Sequence, residues 1–500
     1  MSGDTDNSVF KRFDAFTRYV PPICWALVLF ILLAIPLKIF SLGYLPSDDA
    51  LRHAAKAVSG KPWQEILVLD PAAFHIDPNW GWHWFLRQIH LAFNWDAETL
   101  VVFTVIVLFI ITNWSIVACL KRPEAWLAAF VLVALISDMT SRFLLGRPFL
   151  LSFTALGIIL LVWQRHAGAP PKWQYVFWMV PLLAIAVFLH GVWYLWALPI
   201  AAFFLAGQFR WFLLLGISWV AGTFLGSALT GHPIASMWQA IELAINALGM
   251  HENQMTLVGE LKPSGGEILP ILFVGGLVVM RQLARLPAPP LARHPAFWLA
   301  VLGWLLGCQT FRFWEDWGAP ALMILIATDL QLLFEAKFPA DSFKRLGLVL
   351  AMCAGIWAVT TNDIGNRWTN NLSWRPINTS DPAQTAALQG WLPDNGGIFY
   401  TADSEFFFQT FFYNPNGDWR YALGFESTLM TPDNFKTYQD IVLNLGDAKA
   451  YQPWVEKMRP QDRLVIAGGA GERPNIPQLE WARPAGNYWI GRLPEASAPR

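Results

Sequence analysis

Long apolar runs separated by short polar stretches fill the first 361 positions of the chain. A helix that crosses a bilayer needs about 20 mostly apolar residues. Runs that meet or approach that length fall at about 20–40, 99–120, 124–141, 148–164, 173–190, 192–209, 211–229, 267–283, 296–311, 317–335 and 345–361, which predicts eleven spans. The first polar stretch, about 41–98, has a pattern of its own. Ser47 suits a helix N-cap, and Asp48 and Asp49 suit the positive end of a helix. Leu51, Ala54, Ala55 and Val58 then form one apolar stripe, and Gly60 and Pro62 end it. A second segment, Asn79 to Phe93, carries Trp80, Trp82, Trp84, Phe85 and Ile89 among His83, Arg87 and His90. Dense Trp with sparse charge fits the headgroup layer, so the stretch predicts two amphipathic helices resting on the membrane.

From Asn362 onward charged residues and turn signals return. Gly397–Thr401 and Arg463–Ala467 predict buried strands, and Tyr488–Leu493 an alternating one. Ser404–Tyr413 and Pro432–Leu445 predict helices. The expected architecture is therefore an α-helical polytopic membrane domain over 1–361, followed by a soluble α/β domain over 362–500.

Composition supports that division. Of the 500 residues 55% are hydrophobic and only 14% charged, with 28 Trp and 36 Phe; soluble domains carry about 25% charged residues. A net charge of −1 and the absence of a long basic run give no case for nucleic acid. Cys24, Cys119, Cys308 and Cys353 all sit in apolar runs, which suggests neither a disulfide framework nor a metal site. The run Val20–Phe40 is too long for a signal-peptide core and lacks a small-residue cleavage site, so it is expected to remain as a span. Lys and Arg crowd alternate loops, at Lys11, Arg12 and Arg18, then Lys121 and Arg122, Arg165 and Lys172, Arg210, Arg281, Arg285 and Arg293, and Lys337, Lys344 and Arg345. By the positive-inside rule the N-terminus is cytoplasmic. The loops at about 41–98 and 230–266 and the C-terminal domain then lie outside.

Candidate chemistry gathers on that outer side. Asp48 and Asp49 serve equally as helix caps or as carboxylates facing a cavity, where one takes a proton or binds a cation. Arg142, Arg147, Lys262 and Arg312 are nearly the only cations at the outer ends of the spans. They either snorkel and pair locally, as Arg312 can with Glu315 or Asp316, or bind a lipid phosphate. His190 ends a span and marks either an interface or a cavity. His53, His75, Asp77, His83 and His90 crowd the first outer loop without a sharp metal-ligand motif. No P-loop, dinucleotide fingerprint or G-x-S-x-G elbow occurs. The scarcity of charge within the spans argues against an ion-coupled transporter.

This layout resembles the GT-C superfamily of polytopic glycosyltransferases, many of them bacterial. The likeness rests on a cytoplasmic N-terminus, an outer loop with two juxtamembrane helices, and Asp48-Asp49 just after the first span. His75-Ile76-Asp77-Pro78-Asn79-Trp80 matches in part a His-Pro-Pro-like segment of bacterial members. The resemblance implies inverting transfer of a sugar from a polyprenyl-phosphate donor to a lipid, polysaccharide or protein acceptor, on the outer face of the inner membrane. It makes Asp48 the general base with Asp49 supporting it. By location Arg142, Arg147, Lys262 and Arg312 become candidate phosphate ligands, and His53, His75 and His190 further substrate contacts. Some branches use a divalent metal such as Mg or Mn, and others none. The competing readings are an O-antigen ligase or polymerase-like enzyme, whose large outer loop falls between late spans, and a non-enzymatic envelope polysaccharide transporter or scaffold.

Overall fold

The computed structural model describes residues 17–46, 49–71, 74, 76–135, 139–166, 169–249, 261–263, 268–361, 377–468, 471–484 and 486–494. Each of the eleven apolar runs contains a helix. Five helices are long and apolar enough to cross a membrane: Val20–Ser41 (α1), Ala97–Ala118, Phe209–Ala228, Phe343–Thr361, and Trp314–Lys337, which opens with one π-helical turn, Trp314–Gly318. The helices in the other six runs have 10–17 residues, so composition and length show a multi-span apolar bundle but not the count of eleven. The shortfall has local causes. The run 124–141 gives a helix only over Glu124–Ala134, and the run 296–311 one that stops at Gly307.

In α1 the buried positions Val20, Cys24, Val28, Leu32, Ile35 and Ile39 repeat every three or four residues, while Phe30 on another face is 66% exposed. The stripe packs against the helices Ala97–Ala118 and Phe343–Thr361. Near the ends of two helices, basic residues reach buried acids. Arg345 Nε and Nη2 donate to the two oxygens of Glu124 at 2.8 and 3.1 Å. Arg281 forks onto Asp329 at 2.7 and 2.8 Å.

The segment 41–98 folds as the helix Asp49–Ser59 (α2), a single turn Trp63–Ile66 (α3) and the helix Trp80–Phe93 (α4). Both predicted helices are present, and α2 ends at Gly60 in the left-handed region (φ 63) that favours glycine. Only α4 presents a large apolar face outward, through Trp80, Trp84, Leu91 and Phe93. The α2 helix is buried at Ala50, Leu51, Arg52, His53, Ala54, Ala55 and Ala57. It lies between the membrane helices and the C-terminal domain, which corrects the expectation that it rests on the membrane.

The C-terminal domain carries a five-stranded mixed sheet of Ile398–Thr401 (β1), Arg420–Tyr421 (β2), Arg463–Ala467 (β3), Glu480–Ala482 (β4) and Tyr488–Arg492 (β5), in the order β2-β1-β3-β5-β4. The β2-β1-β3 part is parallel, with Phe399 opposite Arg463 and Tyr421; β5 pairs antiparallel with β3 and β4. Three strands and the helices Ser404–Tyr413 and Pro432–Leu443 match the sequence expectation; the short β2 and β4 do not stand out in it. The outer loop caps the β2 edge. Leu67 bridges Tyr421 in parallel, Val68 N–H donates to the Tyr421 carbonyl at 2.9 Å, and Asp70 N–H to that of Leu429 at 2.9 Å. Ala55, Trp63, Ile66, Leu67 and Phe74 thus share one core with Phe399, Phe407, Phe411 and Tyr421. A boundary near residue 362 separates chain segments rather than cores, because loop 41–98 packs with the C-terminal domain.

Candidate active site

A cavity of about 410 Å³ opens where helix ends of the bundle, α2 and the C-terminal domain meet. Asp49 in the first turn of α2 and Arg52 one turn later both line it. Arg52 Nε donates to Asp49 Oδ1 at 2.6 Å. The Arg52 guanidinium lies 4.1 Å from the centre of the Phe425 ring, which the C-terminal domain supplies. Its Nη1 is buried with no hydrogen-bond partner. A buried, unsatisfied cationic donor is costly.

Four further sequence candidates line the same cavity: Arg142, Arg147, His190 and Arg312. Arg147 Nε is 3.7 Å from Asp49 Oδ2. Arg142 Nη2 donates to Asp316 Oδ1 at 2.5 Å, and its Nε lies 3.5 Å from Glu315 Oε2. Arg312 Nε reaches Asp316 Oδ2 at 3.1 Å. The π-helical turn Trp314–Gly318 makes this possible: its extra residue brings the consecutive Glu315 and Asp316 inward together, and both are buried. The local pairing expected of Arg312 with Asp316 is therefore present alongside its place in the cavity wall. His190, 9% exposed, lies 3.2 Å from Ser152 Oγ through Nδ1. On the opposite wall the C-terminal domain supplies Glu405, Phe408, Phe425, Glu426 and Tyr438.

The close fit of loop to bundle depends on two glycines. A Cβ on Gly81 of α4 would collide with the Phe188 carbonyl, and one on Gly191 would lie 2.5 Å from the Pro78 carbonyl. Gly191 also lines the cavity, so the same contact shapes its floor.

Of the remaining candidates, Lys262 is exposed and does not line the cavity; its backbone carbonyl accepts from Phe311 N–H at 2.9 Å. His53 is buried next to the cavity rather than in its wall. Asp48 and His75 lie outside the described residues. Arg52 was not among the sequence candidates, although its place three residues after Asp49 puts it on the same helix face. Among the described residues no three His, Cys, Asp or Glu side chains converge as a metal site. Asp49 and Asp316 are each engaged by arginines.

The crowding of histidines in the first outer loop resolves into a hydrogen-bonded line. Asp77 Oδ2 accepts from Trp63 Nε1 at 2.9 Å and lies 2.5 Å from His83 Nδ1. His83 Nε2 in turn lies 2.7 Å from His53 Nδ1. Burial alone would raise the Asp77 carboxyl, but the His83 imidazole beside it and the Asn79 N–H hold it below the usual carboxylate range. Burial lowers His83 despite the attraction of Asp77. It lowers His53 further, with the Arg52 charge adding to the effect.

No family model matches the chain, and no curated protein matches it. Among solved structures, the Archaeoglobus fulgidus oligosaccharyltransferase, crystallised with a tethered acceptor peptide containing an NVT sequon, aligns over 88% of this chain and 68% of its own. The TM-score is 0.46 and the identity 11%, a distant likeness of chain course. Function has to be argued from the site itself.

Proposed function

We propose that the protein is a GT-C-type glycosyltransferase of the bacterial inner membrane. It moves a sugar from a polyprenyl-phosphate donor to a lipid, polysaccharide or protein acceptor on the outer face, with inversion. The observation that carries this reading is the cavity joining Asp49 to Arg52, Arg142, Arg147 and Arg312, with one buried Arg52 nitrogen unpartnered. In the transfer the bond from the sugar's anomeric carbon to the phosphate oxygen breaks as the acceptor's oxygen or nitrogen bonds to that carbon. The phosphate leaves with the electron pair, and fixed cations stabilise the charge that develops on it. The apolar bundle beneath suits the prenyl chain. Asp49 is held by two arginines and acts as their orienting partner. The resemblance to GT-C enzymes puts the base at Asp48, one residue before it.

The cavity also speaks against a non-enzymatic transporter or scaffold, which gives no reason for an acid and these cations to meet. The longest outer piece is the C-terminal domain, which disfavours the ligase or polymerase reading. The test is purified protein in nanodiscs given polyprenyl-phosphate sugars and a membrane glycan extract. Release of polyprenyl phosphate coupled to glycan growth is expected. The absence of both release and donor binding across such donors would overturn the reading.

A further inference from the structure

We propose that Phe425 of the C-terminal domain is a positioning residue for Arg52, fixing its guanidinium in the cavity wall where the donor's phosphate binds. The proposal rests on the transferase reading and gives the C-terminal domain a part in it, since docking of that domain completes the phosphate site.

Phe425 is itself held from both sides. It lies in the stretch 422–428 that follows β2, and both ends of that stretch are tied to residues 67–70 of the segment 41–98. At one end Leu67 bridges Tyr421, and Val68 N–H donates to the Tyr421 carbonyl at 2.9 Å. At the other Leu69 bridges Met430, and Asp70 N–H donates to the Leu429 carbonyl at 2.9 Å. Between them Gly424 makes room for the Leu67 side chain, since a Cβ there would lie 2.6 Å from Leu67 Cδ1. The Phe425 ring then packs with its centre 5.0 Å from that of Trp63 and 6.4 Å from that of Phe74. Its place is thus set by the protein rather than by a bound substrate.

Arg52 needs such a partner. A long side chain loses much rotamer freedom when it is fixed, and Asp49 grips this one at a single nitrogen, Nε at 2.6 Å. One hydrogen bond leaves the guanidinium plane free to swing about it. The Phe425 ring, with its centre 4.1 Å from the guanidinium carbon, sets that plane. A ring face attracts a cation through its quadrupole and takes none of the five N–H donors. A second carboxylate in the same place would occupy those donors and neutralise the charge. The stack therefore orients the guanidinium and leaves its charge and remaining donors for a ligand. Asp49, Arg52, Arg147 and Phe425 all line the cavity, so the oriented group is one that an occupant of the cavity meets. A lipid phosphate suits it, because the planar fork of Arg matches phosphate oxygens. Phe425 offers the phosphate no hydrogen bond; it acts through Arg52.

The experiment is a double-mutant cycle on donor binding. Wild type, Phe425→Leu, Arg52→Ala and the double variant, as full chains in nanodiscs, are titrated with a polyprenyl-phosphate sugar. Phe425→Leu should raise donor Kd about 5- to 30-fold. In the Arg52→Ala background the same change should move Kd by less than about threefold, because no cation is left to orient. Phe425→Tyr, the conservative variant, keeps the ring face and should rescue most of the loss. A donor Kd within about threefold of wild type in folded Phe425→Leu overturns the proposal. So does an equal rise in both backgrounds, which is what lost packing alone produces, and so does a loss in Phe425→Tyr as large as in Phe425→Leu. If Phe425→Leu does not fold, Phe425→Met, which fills the space without a ring, takes its place in the cycle. Wild-type protein that binds no such donor overturns the transferase reading. Wild-type protein that binds donor, with no coupling between the two positions, overturns the role of Phe425 alone.

Discussion

Replacing Arg52 by Ala separates its role as a packing group from its role as an anion ligand. In the folded protein the side chain makes a 2.6 Å pair with Asp49 and a 4.1 Å stack on Phe425. The Asp49 side chain is 25% exposed and keeps Arg147 nearby, so losing that pair costs about 1 kcal/mol. The cation–π contact adds about 1 kcal/mol. The stability loss should therefore be modest. Donor binding should suffer more, because the Arg52 guanidinium lines the cavity and would place a charge-assisted hydrogen bond on the phosphate. Such a bond is worth about 1.5–3 kcal/mol, or about a 10- to 150-fold rise in donor Kd. Arg52→Lys should recover only part of this, since it keeps the charge without the planar fork that stacks on Phe425. The assay is donor titration of protein in nanodiscs by tryptophan quenching, with unfolding midpoints measured on the same samples. A donor Kd within twofold of wild type in well-folded Arg52→Ala would refute the reasoning.

Arg142→Ala should behave in the opposite way. It strips the shortest pair from buried Asp316 and the nearest cation from Glu315, a loss of about 3–5 kcal/mol. It should lower the unfolding midpoint in detergent sharply, and an unchanged midpoint would contradict the assigned pairing. Stability should also fall with acid in two stages. His53 and His83 are depressed by burial below their ordinary 6.5, so their contribution is full above that value and is lost as pH drops below it. Asp77 is held below its ordinary 3.8, so its share persists to about pH 4 and is lost under more acid conditions. Unfolding midpoints measured from pH 8 to pH 3 should show both declines. Asp77→Asn should remove the lower one, and a flat profile would contradict the burial of Asp77, His83 and His53.

Much of the architecture was legible in local pattern. α2, α4, β1, β3, β5 and the helix Ser404–Tyr413 follow from periodicity, breaking residues and β-branched or aromatic runs, which act over a few residues; the expected cap Ser47 lies outside the described residues. The span count was less legible, because an apolar run such as 296–311 does not reveal that its helix stops at Gly307. The inward face of a span is also hidden from sequence. In α1 both buried Leu32 and exposed Phe30 are apolar, since lipid makes no demand for a polar outer side. The short β2 exists only through its partners, with Arg420 and Tyr421 set against β1 and Leu67.

The acid pair and the four cations Arg142, Arg147, Lys262 and Arg312 were readable as residue types near the ends of apolar runs. Position along the chain predicted one side for them, because the positive-inside rule and span order are sums over sequence. Which of them meet was decided only by the tertiary structure. Packing α2 under the C-terminal domain placed Arg52 on Phe425, brought His83 from α4 against His53, and left Lys262 outside the cavity. Those contacts join residues 30 to several hundred positions apart, and no local propensity encodes them. Their energies come from burying charge and aromatic surface together, a condition that exists only once the chain has closed.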